Sequence, residues 1–311
     1  MSHLKQKMEN KQFKSGFITI LGRPNVGKST LLNAILGQKI SIVSPIPQTT
    51  RFQLKGILNQ PNSQIVFVDT PGIHLFKEKF SYHLNKVSLA SVAEIDLILY
   101  VVDANRLPGE EERKIMDIIA RQKNKVVMIF NKSDLGRKYI NSYIELWKEK
   151  VEELGGPDPL LYYIPVSAKE KKGIEDLKNI LTELMPEGPA FYDKDTPTDF
   201  PIQYRVADII REKLFLKTKQ EIPHSVAVEV KEIQAKERSV YILAHIYIQR
   251  TSQKRIIIGK DGKLLKEVGI EARSDLENIY NKKAYLDLWV KTEKDWQNNR
   301  RILQDLGYWI E

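Results

Sequence analysis

Cysteine is absent from the chain. Disulfides and thiolate metal sites are therefore excluded, and the composition fits a reducing compartment. Histidine is scarce, with five residues in all, and their scatter offers no close ligand pair for a transition metal. No apolar run reaches the roughly 18 residues of a membrane-spanning helix. Residues 1–14 are polar and lysine-bearing without an apolar stretch, so they do not read as a secretory leader; residues 1–15 are expected to form a flexible tail. No internal repeat is visible. What remains is ordinary for a globular protein: 42% apolar and 29% charged residues over 311 positions, enough for about two domains. Lys and Arg number 49 against 40 Asp and Glu, a net charge of +9 that points weakly toward anionic partners.

Against this plain background one segment stands out. Residues Gly22 to Ser29 read G-R-P-N-V-G-K-S, the G-x-x-x-x-G-K-[ST] pattern. An apolar run at 17–21 precedes it and a helical pattern at 31–36 follows, the strand–loop–helix context a phosphate loop requires. Consecutive amides and a helix N-terminus make an anion nest. Lys28 adds a point charge for the β and γ phosphates, and Ser29 offers a hydroxyl to Mg²⁺. The expected nucleotide contacts are Gly22, Asn25, Val26, Gly27, Lys28, Ser29 and Thr30.

Two further motifs fall at the ends of predicted strands. Asp69-Thr70-Pro71-Gly72 follows the apolar run 64–68, which puts a carboxylate at the crevice where open α/β sheets bind ligands. Asp69 is expected to hold Mg²⁺ through water, and the Gly72 amide to approach a γ-phosphate. Asn131-Lys132-Ser133-Asp134 follows the run 126–130. Guanine presents two donors on one edge, and a carboxylate at Asp134 can accept both; adenine lacks that pair, so the site discriminates by leaving a buried polar group poorly matched. Asn131 is expected to brace neighbouring loops and the Lys132 stem to cover the base. Ser167-Ala168-Lys169 follows the run 160–166, and its backbone is placed to bond the base oxygen. GTP or GDP with Mg²⁺ is the implied ligand set.

Phosphate loop, D-T-P-G, N-K-S-D and S-A-K in this order resemble the translation-factor-related GTPases, and Ser44-Pro45-Ile46-Pro47-Gln48-Thr49-Thr50-Arg51 resembles the first switch of the Era family. The resemblance implies a second Mg²⁺-sensing hydroxyl at Thr50, with Thr49 the lesser choice, and assigns catalysis to Lys28, Thr50 and Gly72. Signalling GTPases place a water-orienting glutamine after the D-x-x-G glycine. Here Ile73 stands there, so slow intrinsic hydrolysis is expected. Arg51 and Arg106 remain open as charge-stabilising candidates, and His74 and His83 are read as solvated switch residues.

Alternating strand-like and helix-like segments over 16–185 imply a mainly parallel sheet flanked by helices. Strands are expected near 16–21, 52–58, 64–69, 96–103, 125–130 and 160–166. Helices are expected near 29–36, 80–93, 110–122, 138–154 and 173–185. Residues 186–200, rich in proline and acids, read as a linker. Residues 201–311 then follow the order helix, strand, strand, short element, G-x-x-G, helix, strand, which resembles a type II KH domain. The expected fold class is thus an α/β P-loop GTPase domain followed by an α+β KH domain.

Gly259-Lys260-Asp261-Gly262 suits single-stranded RNA. Two glycines keep the turn thin, flanking amides and lysines can meet phosphates, and an adjacent apolar groove can take bases. Ile258, Gly259, Lys260, Asp261, Gly262 and Lys263 are the RNA-binding candidates. Arg250, Lys254, Arg255 and Lys266 enrich the surroundings in positive charge, whereas Ile256, Ile257, Leu264 and Leu265 could serve groove or core. The whole chain is similar to the Era-family ribosome-assembly GTPases, including Leu288-Trp289-Val290-Lys291 and then Trp296 and Leu306-Gly307-Tyr308 in its last part. That resemblance implies binding to the 3′ region of small-subunit (16S) ribosomal RNA, action on a pre-30S particle and help in 30S maturation. It further implies a monomer in the cytoplasm with peripheral contact at the inner membrane. A second reading is an RNA-binding assembly factor whose nucleotide is mainly structural.

Overall fold

The structure is a computed structural model that describes residues 12–43, 54–69, 95–218 and 225–306, with the side chains of Leu54 and Asp69 excepted. The expected helix at 80–93, the first switch from Ser44 to Arg51, Gly72, Ile73, His74 and His83 lie outside the described residues. The described residues divide into two compact units, 12–41 with 54–199 and 42–43 with 200–306.

The first unit is built on a six-stranded sheet of β1 (Lys14–Leu21), β2 (Leu54–Gln60), β3 (Ser63–Asp69), β4 (Leu97–Asp103), β5 (Lys125–Asn131) and β6 (Leu160–Pro165). Their order is β2-β3-β1-β4-β5-β6. Only β2 runs antiparallel to its neighbour, paired with β3; the other pairs are parallel. β1 and β4 are near-continuous apolar runs, as strands covered on both faces must be, and all seven residues of β4 are buried. The helices are α1 (Lys28–Leu36), α2 (Glu110–Ala120), α3 (Ile140–Leu154) and α4 (Ile174–Leu184). Between β4, β5, α2 and α3 a core of Tyr100, Phe130, Met128, Ile115, Tyr143 and Trp147 closes one side. Each such side chain contributes about 1.5–3 kcal/mol on burial. The register sets the site: Ile20 lies opposite both Asp69 and Leu99, and Asp103 opposite Asn131. Asp69, Asp103 and Asn131 thus end three parallel strands at one carboxyl edge.

Two boundaries differ from expectation. β1 begins at Lys14, inside the expected tail, because Lys14 and Ser15 amides donate to the Asn62 and Pro186 carbonyls. The expected linker is a strap along the β2–β3 edge: the Gln64 side chain accepts from the Phe191 and Tyr192 amides and donates to the Tyr192 carbonyl. Farther along, the Thr198 hydroxyl donates to the Lys55 carbonyl at 2.6 Å, and Lys55 pairs with Asp199 at 3.2 Å. Proline and acid content carried no sign of this anchoring.

The second unit comprises α5 (Ile202–Lys217), β7 (Ala227–Ala235), β8 (Ser239–Ile248), α6 (Thr251–Ile258), a 3₁₀ turn at Lys260–Gly262, α7 (Lys263–Tyr280), β9 (Lys283–Thr292), a second turn at Trp296–Asn298 and α8 (Arg300–Asp305). The sheet order is β7-β8-β9, antiparallel then parallel, which gives the expected α+β architecture. One sheet face packs on the helices through Val240, Ile242, Ala244, Ile246 and Ile248 of β8 against Ile210 and Leu214 of α5 and Val268, Ala272 and Leu276 of α7. Trp296 is buried, and its indole donates to the Ser225 carbonyl at 3.0 Å. No helix among the described residues is long and apolar enough to cross a membrane.

Candidate functional site

The loop between β1 and α1 forms a cradle at the carboxyl edge of the sheet. Gly27 adopts φ 98° at the N-cap of α1, and a Cβ there would collide with the Asn131 amide nitrogen. The absence of a side chain is what lets the two loops touch. Lys28 extends back over the loop, its Nζ donating to the carbonyls of Gly22 and Arg23 at 2.8 Å each. Ser29 and Thr30 occupy the first turn of α1, where amides and the helix dipole favour an anion. Asn25 sits at φ 63° at the exposed lip, and Val26 is buried beneath.

Asn131 ties this cradle to the far side of the site. Its Nδ2 donates to the Val26 carbonyl at 2.8 Å and its Oδ1 accepts from the Ala168 amide at 3.0 Å. One buried side chain therefore holds the phosphate-loop candidate and the S-A-K loop together. Lys132 is turned by φ 61°, and its Nζ reaches Asp103 at 2.8 Å, which lays the aliphatic stem along the crevice. Asn105 donates to the Lys132 carbonyl at 2.8 Å and fixes the same turn. Asp134 accepts from the Ser167 hydroxyl at 2.5 Å. That hydrogen bond, assisted by Lys169 and Lys172, holds the Asp134 carboxyl below its ordinary range. A charged, half-exposed carboxylate at this point can accept two donors from a base edge. The Ser133 amide donates to the Val166 carbonyl at 3.0 Å, joining the two base-side loops directly.

Asp69 ends β3 in the expected place, and its carboxylate lies outside the described side chains. Thr50 and Gly72 lie outside the described residues altogether. Among the described residues, no group of three His, Cys, Asp or Glu could hold a metal ion.

Two residues escaped the sequence reading. Arg23, inside the loop, is 7% exposed and pairs with Glu112 of α2 at 2.5 Å. Glu112 also accepts from the Gly109 amide at 2.9 Å and from the Tyr143 hydroxyl at 3.5 Å. The loop is thus pinned from behind to the start of α2. Only the position of an arginine within a phosphate loop hinted at it; its partner is 89 residues away, as 112 minus 23 gives.

In the second unit the G-x-x-G segment joins α6 to α7. Gly259 has φ 75°, and a Cβ there would lie 2.8 Å from Leu264 Cβ and 2.9 Å from its amide. Gly262 shares φ 75° but would meet nothing within 4 Å. Asp261 is also left-handed, at φ 52°. Lys260 and Lys263 are exposed on either side. A cavity of about 640 Å³ opens beside the turn, lined by Thr251, Lys254, Arg255, Ile258 and residues 259–261. The apolar residues left undivided by sequence now separate: Ile257 is core, Ile256 is exposed, and Ile258, Leu264 and Leu265 are half-buried against the core. A thin turn flanked by cations and an apolar wall is chemically suited to a single-stranded nucleic-acid backbone.

Together the fold and these sites define a class, a P-loop GTPase domain followed by a KH domain. A family described as 50S ribosome-binding GTPase matches residues 17–132, and the KH domain family matches residues 221–297. GTPase Era of Geobacter metallireducens is 42% identical over 304 residues, covering 97% of this chain and 100% of that protein. GTPase Era of Borreliella burgdorferi is 44% identical over 293 residues, covering 94% and 99%. Among solved structures, Era in complex with MgGDPNP and nucleotides 1506–1542 of 16S ribosomal RNA superposes with a TM-score of 0.86 at 35% identity, covering 96% of this chain and all of that one. An Aquifex aeolicus Era variant bound to GDP·AlF4⁻ gives the same values. The chain belongs to the GTPase Era family.

Proposed function

We propose that this chain is a GTP-hydrolysing switch that binds the 3′ region of 16S ribosomal RNA and assists maturation of the 30S subunit within a pre-30S particle. It acts as a monomer in the cytoplasm and touches the inner membrane peripherally. The observation that carries the nucleotide half is the pair of hydrogen bonds from the Asn131 side chain, one donated to the Val26 carbonyl and one accepted from the Ala168 amide, which holds the phosphate-loop candidate and the base-side loop at a fixed separation. Family membership supports the RNA half, together with the groove beside Gly259-Lys260-Asp261-Gly262 and the complexes formed by the related Era proteins.

In this reading Gly22, Asn25, Val26, Gly27, Lys28, Ser29 and Thr30 surround the phosphates. A cradle whose glycine position a Cβ would fill against Asn131 fits a close-lying phosphate chain. Asp134 selects guanine, Lys132 covers the ring, and Ser167, Ala168 and Lys169 meet the base oxygen. Ser29, Thr50 and Asp69 hold Mg²⁺, which neutralises charge on the phosphates when bound. Lys28 stabilises the transferring phosphoryl group, Thr50 and Gly72 sense it, and Ile73 leaves water without a polar guide on that side. Ile258, Lys260, Asp261 and Lys263 contact RNA around the two glycines. The test is single-turnover GTP hydrolysis with and without an RNA covering the 16S 3′ end. Slow basal turnover that accelerates with RNA supports the reading; a fast basal rate indifferent to RNA overturns the coupling.

A further inference from the structure

The helices of the second unit cover one face of the β7–β8–β9 sheet, and the other face displays aromatic residues. β8 alternates strictly between buried Val240, Ile242, Ala244, Ile246 and Ile248 and half-buried Tyr241, Leu243, His245 and Tyr247. On β9 the helix-side residues are Ala284, Leu286, Leu288 and Val290, so Tyr285, Asp287 and Trp289 point the other way. Tyr285 is 59% and Trp289 56% exposed. The register aligns Tyr285 with Tyr241, Asp287 with Leu243, and Leu243 with Glu232 of β7. One row of carboxylates therefore lies beside aromatic residues. Tyr241 registers both acids: burial, then Asp287, then Glu232 push its hydroxyl pKa upward.

Tyr285 and Trp289 are alternate same-face neighbours of Asp287. Same-face neighbours two residues apart on a strand stand about 6.6 Å apart, so Asp287 is flanked at that distance on both sides. A guanidinium is planar, carries donors in a fork that fits a carboxylate, and stacks on aromatic faces at about 3.5 Å. A phosphate backbone would instead meet two carboxylates. The acids of this face are partnered within it: Asp287 accepts from the Tyr241 hydroxyl at 3.5 Å, Glu232 from the Gln234 amide at 2.6 Å, and Glu229 from the Tyr247 hydroxyl at 2.6 Å while pairing with Lys231 at 2.6 Å. Lys283 and Lys291 alternate onto the same face at the two ends of β9, so the acidic character is confined to the Asp287–Glu232 row. In a chain of net charge +9, an outward pair of acids among aromatic rings is complementary to a cation.

We propose that this sheet face docks an arginine-bearing segment of a protein partner, with the guanidinium on Asp287 and stacked against Tyr285 or Trp289. The G-x-x-G turn is left free for RNA, since it belongs to the α6–α7 junction. The experiment uses the full chain and a fluorescein-labelled peptide of Arg-Gly repeats, with a Lys-Gly peptide and a uridine oligomer as counterparts. Fluorescence anisotropy should show the arginine peptide binding about tenfold tighter than the lysine peptide, because the fork and the stack are lost with lysine. Asp287→Asn and Trp289→Ala should each weaken it about fivefold or more, while affinity for a 16S 3′-end RNA stays unchanged. Asp287→Asn keeps the shape and removes only charge, so it decides the matter if Trp289→Ala lowers the melting temperature. Unchanged peptide affinity in both variants overturns the proposal. So does a matching loss of uridine-oligomer binding, a concentration-dependent dimer broken by the same substitutions, or a tenfold gain in peptide affinity on deleting residues 307–311.

Discussion

The two candidate sites are held in opposite ways. The nucleotide-site candidate is fastened through its described loops: Asn131 ties two loops together, Asp103 holds Lys132, Ser167 holds Asp134, and Glu112 pins Arg23 from behind. The G-x-x-G turn is fixed at one glycine, where Leu264 leaves no room for a side chain, and open at the next. A small ligand with defined charges and donors rewards preorganisation, since misplacement by about 1 Å can cost a hundredfold. A polymer read through its backbone needs clearance more than fixed partners. The two units therefore respond differently to substitution.

The sharpest break in the comparison is Asp134→Asn. A carboxylate that accepts two guanine donors becomes an amide that must present a donor to one of them. GTP affinity should fall by about 10⁴-fold, whereas xanthosine triphosphate, which offers an acceptor at the changed position, should recover binding. Calorimetry with both nucleotides checks this; equal losses for both would mean the fold was damaged and not the selection.

Next in size is the support behind the cradle. Glu112→Gln leaves the Arg23 guanidinium buried without its counter-charge, which costs on the order of 3 kcal/mol in the stability of the first unit. The tie to the Gly109 amide can survive in the amide isostere. Urea unfolding followed in the variant should show that loss, and Arg23→Met combined with Glu112→Leu should restore much of it, because an apolar pair removes the uncompensated charge. Recovery limited to the single charge-neutral change would show that the pair does not act as a unit.

Much of this was legible beforehand because the determinants were local. Apolar runs marked the strands of the first sheet, and the G-x-x-x-x-G-K-[ST] pattern announced where α1 starts. The G-x-x-G element order pointed to the KH fold for the same reason. Long-range pairings left no such trace. Arg23 with Glu112, and Gln64 with Tyr192, join segments whose separation has no periodic signature. β9 was recognisable as a strand but not as to its faces: Tyr285, Leu286, Leu288, Trp289 and Val290 are apolar on both sides, so alternation alone does not say which side meets the core.

The glycine pair tests the contrast within the G-x-x-G turn itself. Gly259→Ala places a Cβ against the Leu264 backbone and strains φ 75°, so the α6–α7 junction must shift. Gly262→Ala carries the strain of its own φ without a clash, costing about 1 kcal/mol. RNA affinity, measured by filter binding, should fall markedly for Gly259→Ala and only slightly for Gly262→Ala. Equal losses would mean that RNA itself comes within contact of Gly262, and the turn would then be a close-fitting site like the nucleotide crevice.

The smallest effect concerns one hydroxyl. Ser167 donates to Asp134 and is the leading cause of its depressed pKa. A folded-state pKa below the unfolded value contributes stability above the unfolded pKa, and that contribution is lost as pH falls through the folded value. Ser167→Ala removes the donor, so the Asp134 titration seen by carboxyl NMR should move up toward ordinary aspartate. Acid release of bound guanine nucleotide should then begin at a higher pH than in the parent chain. Because Asp134 is half-exposed, the shift should shrink as salt rises, through screening of the Lys169 and Lys172 contributions. A titration that does not move on Ser167→Ala would assign the depression to those lysines instead, and the base pocket would be tuned by surface charge and not by a fixed hydrogen bond.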